Sequence, residues 1–178
     1  MTNKRYVFSA LVENRPGVLS RVSGLFTRRG FNIDSLTVAE TEDPARSRMT
    51  IALHSDENTA MQIKHQLEKL IDVISIRELS VGYSVTREYV LIKVAATAEH
   101  RMAVISLTNI FRANIVDVSP DNMIIELTGD STKTKAFIEI VRPFGILQAV
   151  RSGISGLERG VQEQGADGIL ETPGGSAP

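Results

Sequence analysis

The chain has 178 residues, 42% of them hydrophobic and 23% charged, with a formal net charge of −1 and no cysteine. That length holds one medium domain or two small ones. The missing cysteine excludes disulfides, thiolate metal sites and cysteine nucleophiles, and the near-zero charge removes any global electrostatic case for nucleic acid or anionic membrane. No apolar run approaches the roughly 20 residues that span a membrane. Met1-Thr2-Asn3-Lys4-Arg5 leads into a strand pattern and not into a signal-peptide core, so a cytoplasmic protein is expected.

The first strand is expected over residues 6–13, with Tyr6, Phe8, Ala10 and Val12 on one face and Val7, Ser9 and Leu11 on the other. Both faces are largely apolar, as in a central strand covered on both sides. A helix over 16–29 sets Val18, Leu19, Val22, Leu25 and Phe26 along one stripe, with Gly30 as its left-handed stop. A second strand over 33–41 turns Leu36 and Val38 inward. Beyond a polar turn at 42–47, a third strand alternates Met49, Ile51 and Leu53 with Thr50, Ala52 and His54. Asp56 caps a helix whose buried stripe is Ala60, Ile63, Leu67, Leu70 and Ile71, and a strand over 73–81 closes the unit. The order is βαββαβ.

The pattern then recurs. A strand over 86–95 precedes a helix over 99–112 that buries Val104, Leu107, Thr108 and Phe111. Strands over 114–118 and 123–128 flank the turn Ser119-Pro120-Asp121-Asn122, with proline at its second position. Ser131 or Thr132 caps a helix with Phe137, Ile138 and Val141 inward; Pro143 ends it, and a strand over 146–150 finishes the unit. Two copies of one topology joined near 82–85 predict an α+β protein of two tandem ferredoxin-like domains, at 1–82 and 83–160. From Gly153 the chain turns rich in glycine and acidic residues. Gly165, Gly168, Gly174 and Gly175 with Pro173 and Pro178 predict a disordered end at 161–178.

Two features carry function. Asn14-Arg15-Pro16-Gly17-Val18-Leu19 joins a strand directly to a helix, which leaves the helix's first N–H groups pointing outward. Pro16 suits the first helical position, and Gly17 lets a ligand approach the backbone closely. Free amides at the positive end of a helix dipole suit a small carboxylate. No catalytic group accompanies them. The second feature is the second strand, which lies at a sheet edge in this topology and has no proline or lysine to blunt it over 32–40. It is expected to pair with the same strand of a second subunit in a two-fold interface. The turn at 14–17 of one subunit would then lie near the start of that strand in its mate.

Leu11-Val12-Glu13-Asn14-Arg15-Pro16-Gly17-Val18-Leu19-Ser20-Arg21-Val22, Gly24-Leu25-Phe26, Arg29-Gly30-Phe31-Asn32-Ile33, Ser35-Leu36-Thr37-Val38 and Ser47-Arg48-Met49-Thr50-Ile51 together resemble an ACT domain. More narrowly, they resemble the small regulatory subunit of acetolactate synthase, also called acetohydroxyacid synthase. Val116-Asp117-Val118 and Arg151-Ser152-Gly153 are similar to that subunit's C-terminal domain. The resemblance implies a chain that activates a large catalytic subunit and confers feedback inhibition by valine or another branched-chain amino acid. It implies thiamine diphosphate, magnesium and FAD on that large subunit, with no cofactor on this chain. It also implies an effector held between two ACT domains of a homodimer. The effector set would be Asn14, Pro16, Gly17, Val18 and Leu19 of one chain, completed by Asn32 and Ile33 of its mate, with no catalytic or metal-binding residue. Contact with the large subunit would fall to the second domain. A stand-alone amino-acid sensor acting on a different enzyme is the other reading.

Each of these residues also has a plainer role. Asn14 can cap the helix, Gly17 can serve only the tight turn, and Asn32 can be an ordinary turn residue. Ile33 packs in either case, and the small Thr37 and Ala39 suit a subunit interface. His54, His65 and His100 lack ligand spacing. An RNA-binding pair of βαββαβ domains needs exposed aromatics on a central strand, and Met49-Thr50-Ile51-Ala52-Leu53-His54 has none. An acylphosphatase-like hydrolase needs a phosphate-cradling loop, from which Pro16 removes one amide.

Overall fold

The computed structural model describes residues 3–160, so the tail expected to be disordered at 161–178 lies outside the described residues. The first unit comprises β1 (Lys4–Glu13), α1 (Val18–Arg29), β2 (Ser35–Glu40), β3 (Arg46–Ser55), α2 (Glu57–Glu68) and β4 (Val73–Glu78). The second comprises β5 (Ser84–Ala95), α3 (Arg101–Ile110), β6 (Asn114–Val118), β7 (Asn122–Gly129), α4 (Ser131–Val141), a 3-10 turn at Arg142–Phe144, and β8 (Ile146–Glu158). The sheets run β2-β3-β1-β4 and β6-β7-β5-β8, antiparallel throughout. This is the tandem ferredoxin-like α+β architecture.

Period decides what each strand buries. In β1, Tyr6, Phe8, Ala10 and Val12 face the helices and join Met49, Ile51 and Leu53 of β3, Val22 and Phe26 of α1, and Ile63 and Leu67 of α2 in one core. Val90, Ile92 and Val94 play that part in the second unit, against Met123, Ile125, Leu127, Val104, Phe137 and Val141. α1 ends as the sequence suggests: the N–H of Phe31 reaches the Phe26 carbonyl at 3.0 Å and that of Gly30 the Thr27 carbonyl at 3.2 Å, a Schellman closure. Asp56 caps α2 through the Thr59 N–H, and those bonds hold its carboxyl below the usual carboxylate range.

Four expectations are corrected. α1 starts at Val18 and not at Pro16; the Val18 N–H bonds the Arg15 carbonyl at 3.3 Å, so Pro16 and Gly17 form a turn ahead of the helix. α4 is capped by Asp130, whose carboxylate accepts from the Lys133 N–H at 2.8 Å, and not by Ser131 or Thr132. A carboxylate one residue upstream wins because it reaches the free amide with full charge. β2 is shorter than expected, beginning at Ser35. The last strand is much longer, running to Glu158 through Gly153.

That extra length ties the two units together. The far half of β8 passes over the open face of β2 and β3, on the side where Thr50 and Ala52 of β3 are buried. Arg77 meets Glu158 at 2.9 Å, and the Arg5 guanidinium donates to the Ser131 hydroxyl at 2.7 Å. One sheet face thus goes to helices and the other to the neighbouring domain.

Candidate functional site

β1 is followed by α1 after only four residues, and the chain makes that corner with a left-handed Gly17 at φ +87°. A side chain there would be strained, and its Cβ would sit 3.3 Å from Nη1 of Arg21. No side chain caps the helix and no acid occupies its first turn. Among the described residues the amides of Gly17, Leu19 and Ser20 make no hydrogen bond, so three donors remain open at the positive end of the dipole.

Arg21 was not picked out from the sequence as a site residue. Its Nε and one terminal nitrogen grip the Asp72 carboxylate at 2.6 and 2.9 Å, and this pairing raises its pKa above the ordinary guanidinium value. Nη1 is left over, beside Gly17. Asp72 is nearly buried at the β4 end, and its backbone carbonyl accepts the Glu13 N–H at 2.9 Å, so one residue anchors both Arg21 and the strand leading into the turn. The available signal was spacing: a residue four positions beyond Gly17 stands over the helix mouth. Its partner, 51 residues on, carries no such mark.

Asn14 does not cap α1. Its side-chain amide donates to the Pro44 carbonyl at 2.8 Å and to Glu40 at 3.1 Å, bracing the turn between β2 and β3 against the mouth. Val18 is buried in the core, while Leu19 stands 46% exposed at the mouth, free to meet a ligand or a second chain.

Asn32 and Ile33 are elsewhere. Through the pairing register, Ser35 is level with Ala52 and Val7, whereas Glu40 is level with Ser47 and Val12. Ile33 therefore lies at the far end of the sheet, about 25 Å from the α1 mouth at roughly 3.3 Å per strand residue. One chain does not bring the two halves of the expected set together. Ile33 packs against the core, and Asn32 donates weakly to Asp34 at 3.5 Å, which in turn meets Nδ1 of His54 at 2.5 Å. β2 pairs only with β3 among the described residues, so its other edge is open. Thr37, expected at a subunit interface, instead donates to the Ser152 carbonyl of the same chain at 3.2 Å. His65 pairs with Glu68, and the His100 ring stands edge-on to Phe144. Among the described residues no cluster of His, Cys, Asp and Glu could hold a metal ion, and no helix is long and apolar enough to cross a membrane.

An antiparallel βαββαβ pair whose first helix opens on a glycine turn is a tandem ferredoxin-like protein of the ACT type. Residues 8–75 match the family model described as the AHAS small subunit-like ACT domain, and residues 87–160 match that of the small subunit of acetolactate synthase. The chain belongs to the acetolactate synthase small-subunit family. It is 52% identical over 156 residues to the probable acetolactate synthase small subunit of Methanothermobacter thermautotrophicus, covering 87% of this chain and 93% of that one. The acetolactate synthase isozyme 3 small subunit of Escherichia coli is 47% identical over 157 residues, covering 88% and 96%. The crystal structure of the acetolactate synthase small subunit from Thermotoga maritima superposes with a TM-score of 0.82 at 38% identity, covering 89% of this chain and 99% of that one.

Proposed function

We propose that this chain is the non-catalytic regulatory subunit of an acetolactate synthase. It activates a catalytic large subunit and makes it sensitive to a branched-chain amino acid, with valine as the first candidate. The observation that carries this reading is the α1 mouth: three open amides beside the spare nitrogen of Arg21. These groups bind and orient a carboxylate; neither an amide nor a guanidinium titrates near neutral pH to serve as a general acid or base, which suits a sensor better than an enzyme.

The separation of the two half-sites supports a dimer. Antiparallel pairing of two β2 edges about a two-fold axis sets the Glu40 end of one strand against the start of the other. That brings the mouth of one subunit toward Asn32 and Ile33 of its mate. Leu19 and the 39% exposed Val38 offer apolar surface along the same rim. Effector bound across the interface then favours one arrangement of the dimer, and the large subunit responds to the shift in population. Thiamine diphosphate, magnesium and FAD belong to that large subunit in this reading, the second domain supplies contact with it, and the assembly works in the cytoplasm.

Reconstitution tests this directly. Mixing the chain with its large subunit is expected to raise acetolactate formation, and valine, leucine or isoleucine to lower it again. Calorimetry on the small subunit alone is expected to detect the same amino acid. No stimulation on mixing, or no heat of binding with any of the three, ends the proposal.

A further inference from the structure

β8 changes character at Ser152-Gly153. Glu88 of β5 is level with Ile154, yet Val90 is level with Arg151, so two β8 residues oppose the single Tyr89. This is a β-bulge with glycine in the left-handed position, φ +83°. The bulge turns β8 toward the first domain, where two hydroxyls receive it. Ser35 Oγ accepts the Ile154 N–H at 3.0 Å, and the Thr37 hydroxyl donates to the Ser152 carbonyl at 3.2 Å. A Cβ on Gly153 would lie 2.7 Å from the first hydroxyl and 2.8 Å from the second. The two domains close here at backbone distance.

Each side of this clasp is attached to something that matters. On the first-domain side, Ser35 is two residues beyond Ile33, at the start of the strand assigned above to the effector site. On the other side, Arg151 precedes the bulge and donates twice to Glu88, at 2.6 and 2.8 Å. Glu88 is only 3% exposed and also accepts from the buried Thr134 of α4 at 3.1 Å. A shift of residues 152–154 is therefore felt in the second core. The linker between the domains turns at Gly82, φ +90°, with Val81 fully exposed, and is tied at its ends by the Leu79 N–H to the Val7 carbonyl and the Arg159 N–H to the Tyr83 carbonyl, each at 2.8 Å. A crevice of about 360 Å³ lies beside the clasp, lined by Arg5, Asp34, Ser35, Glu88, Arg151 and Gly153.

We propose that Ser35 and Thr37, closed on the Ser152–Gly153 bulge, couple effector occupancy at the β2 start to the position of the second domain. The proposal rests on the effector reading above. It makes β2 a two-sided strand: its open edge is assigned to the mate, and its face carries the signal inside the chain.

The test uses full-length Ser35→Ala/Thr37→Val mixed with the large subunit, with valine binding to the small subunit measured separately by calorimetry. Coupling through the clasp keeps the valine Kd within about threefold of wild type and raises the valine concentration for half-inhibition at least ~10-fold. Thr37→Ser, which keeps the hydroxyl, is expected to behave as wild type. Thr37→Val alone removes one bond and serves if the double variant does not fold. Unchanged inhibition with intact binding overturns the coupling role. A Kd that weakens in step with inhibition also overturns it, by placing these residues in the pocket. If wild-type chain binds no branched-chain amino acid, the effector reading fails first and takes this one with it.

Discussion

The mouths of α1 and α3 occupy equivalent places in two copies of one topology, yet they are built for opposite ends. At α1 the corner is made by a left-handed glycine, the first turn is uncapped, and Arg21 leaves one nitrogen beside the open amides. At α3 no glycine occurs between Ala95 and Arg101, and the Thr97 carbonyl takes the N–H groups of both His100 and Arg101. The Arg101 guanidinium is spent on carbonyls of Ala96, Ser119 and Pro120, and the His100 ring packs on Phe144. Neither helix has a side-chain cap; what differs is the arginine, spent on carbonyls at the second corner and left with one nitrogen beside a left-handed glycine at the first. A ferredoxin-like fold does not in itself make a binding site; the chemistry of one turn does.

The sharpest way to break this comparison is Gly17→Asp. It places a carboxylate where the effector's own is expected and forces a side chain into φ +87°. Valine binding should weaken by at least ~2 kcal/mol, roughly 30-fold, in calorimetry. Ala98→Asp at the second mouth should leave it unchanged. If the two variants behave alike, the mouths do not differ in function.

The second domain has its own dependence, on the Glu88–Arg151 pair. Arg151→Met strands a buried carboxylate and should cost about 2 kcal/mol, below the figure for a fully buried pair because Arg151 is 50% exposed. The bonds from Arg151, helped by Thr134, hold the Glu88 carboxyl below its ordinary range. The unfolded chain therefore takes up that proton at a higher pH than the folded one. The stabilisation is complete above the ordinary glutamate pKa, about 4.3, and fades as pH falls beneath it. Denaturant unfolding should show the gap between wild type and Arg151→Met steady from pH 7 down to about pH 5 and narrowing once the pH falls below about 4.3. A gap that stays constant would assign the loss to packing.

The smallest effect separates two neighbours at the start of α4. Asp130→Ala should cost about 1 kcal/mol in thermal unfolding, and Ser131→Ala only a few tenths. The reverse order would return the cap to Ser131.

Much of this was legible beforehand. The alternation in β1, β3, β5 and β7, the helical stripes apart from the exposed Leu19 and Ile71, the repeated βαββαβ order and the edge position of β2 follow from period and turn chemistry, which are properties of a few adjacent residues. The glycine turn could be read for the same reason. What could not be read depends on residues far apart in the chain. Gly153 looked like the start of a tail because, in isolation, a bulge glycine and a linker glycine are the same residue. The hydroxyls of Ser35 and Thr37, more than a hundred positions away, are what make the difference. Asn14 looked like a cap until the 42–47 turn folded back to take its amide.

Local order thus decided where strands and helices form, which faces they bury and that the first corner stays open, because each needs only neighbours along the chain. Sheet order decided the rest: the Arg21–Asp72 grip, the distance between the mouth and Ile33, and the closure of one domain on the other. Those contacts exist only once strands remote in sequence lie side by side, and no spacing along the chain encodes them.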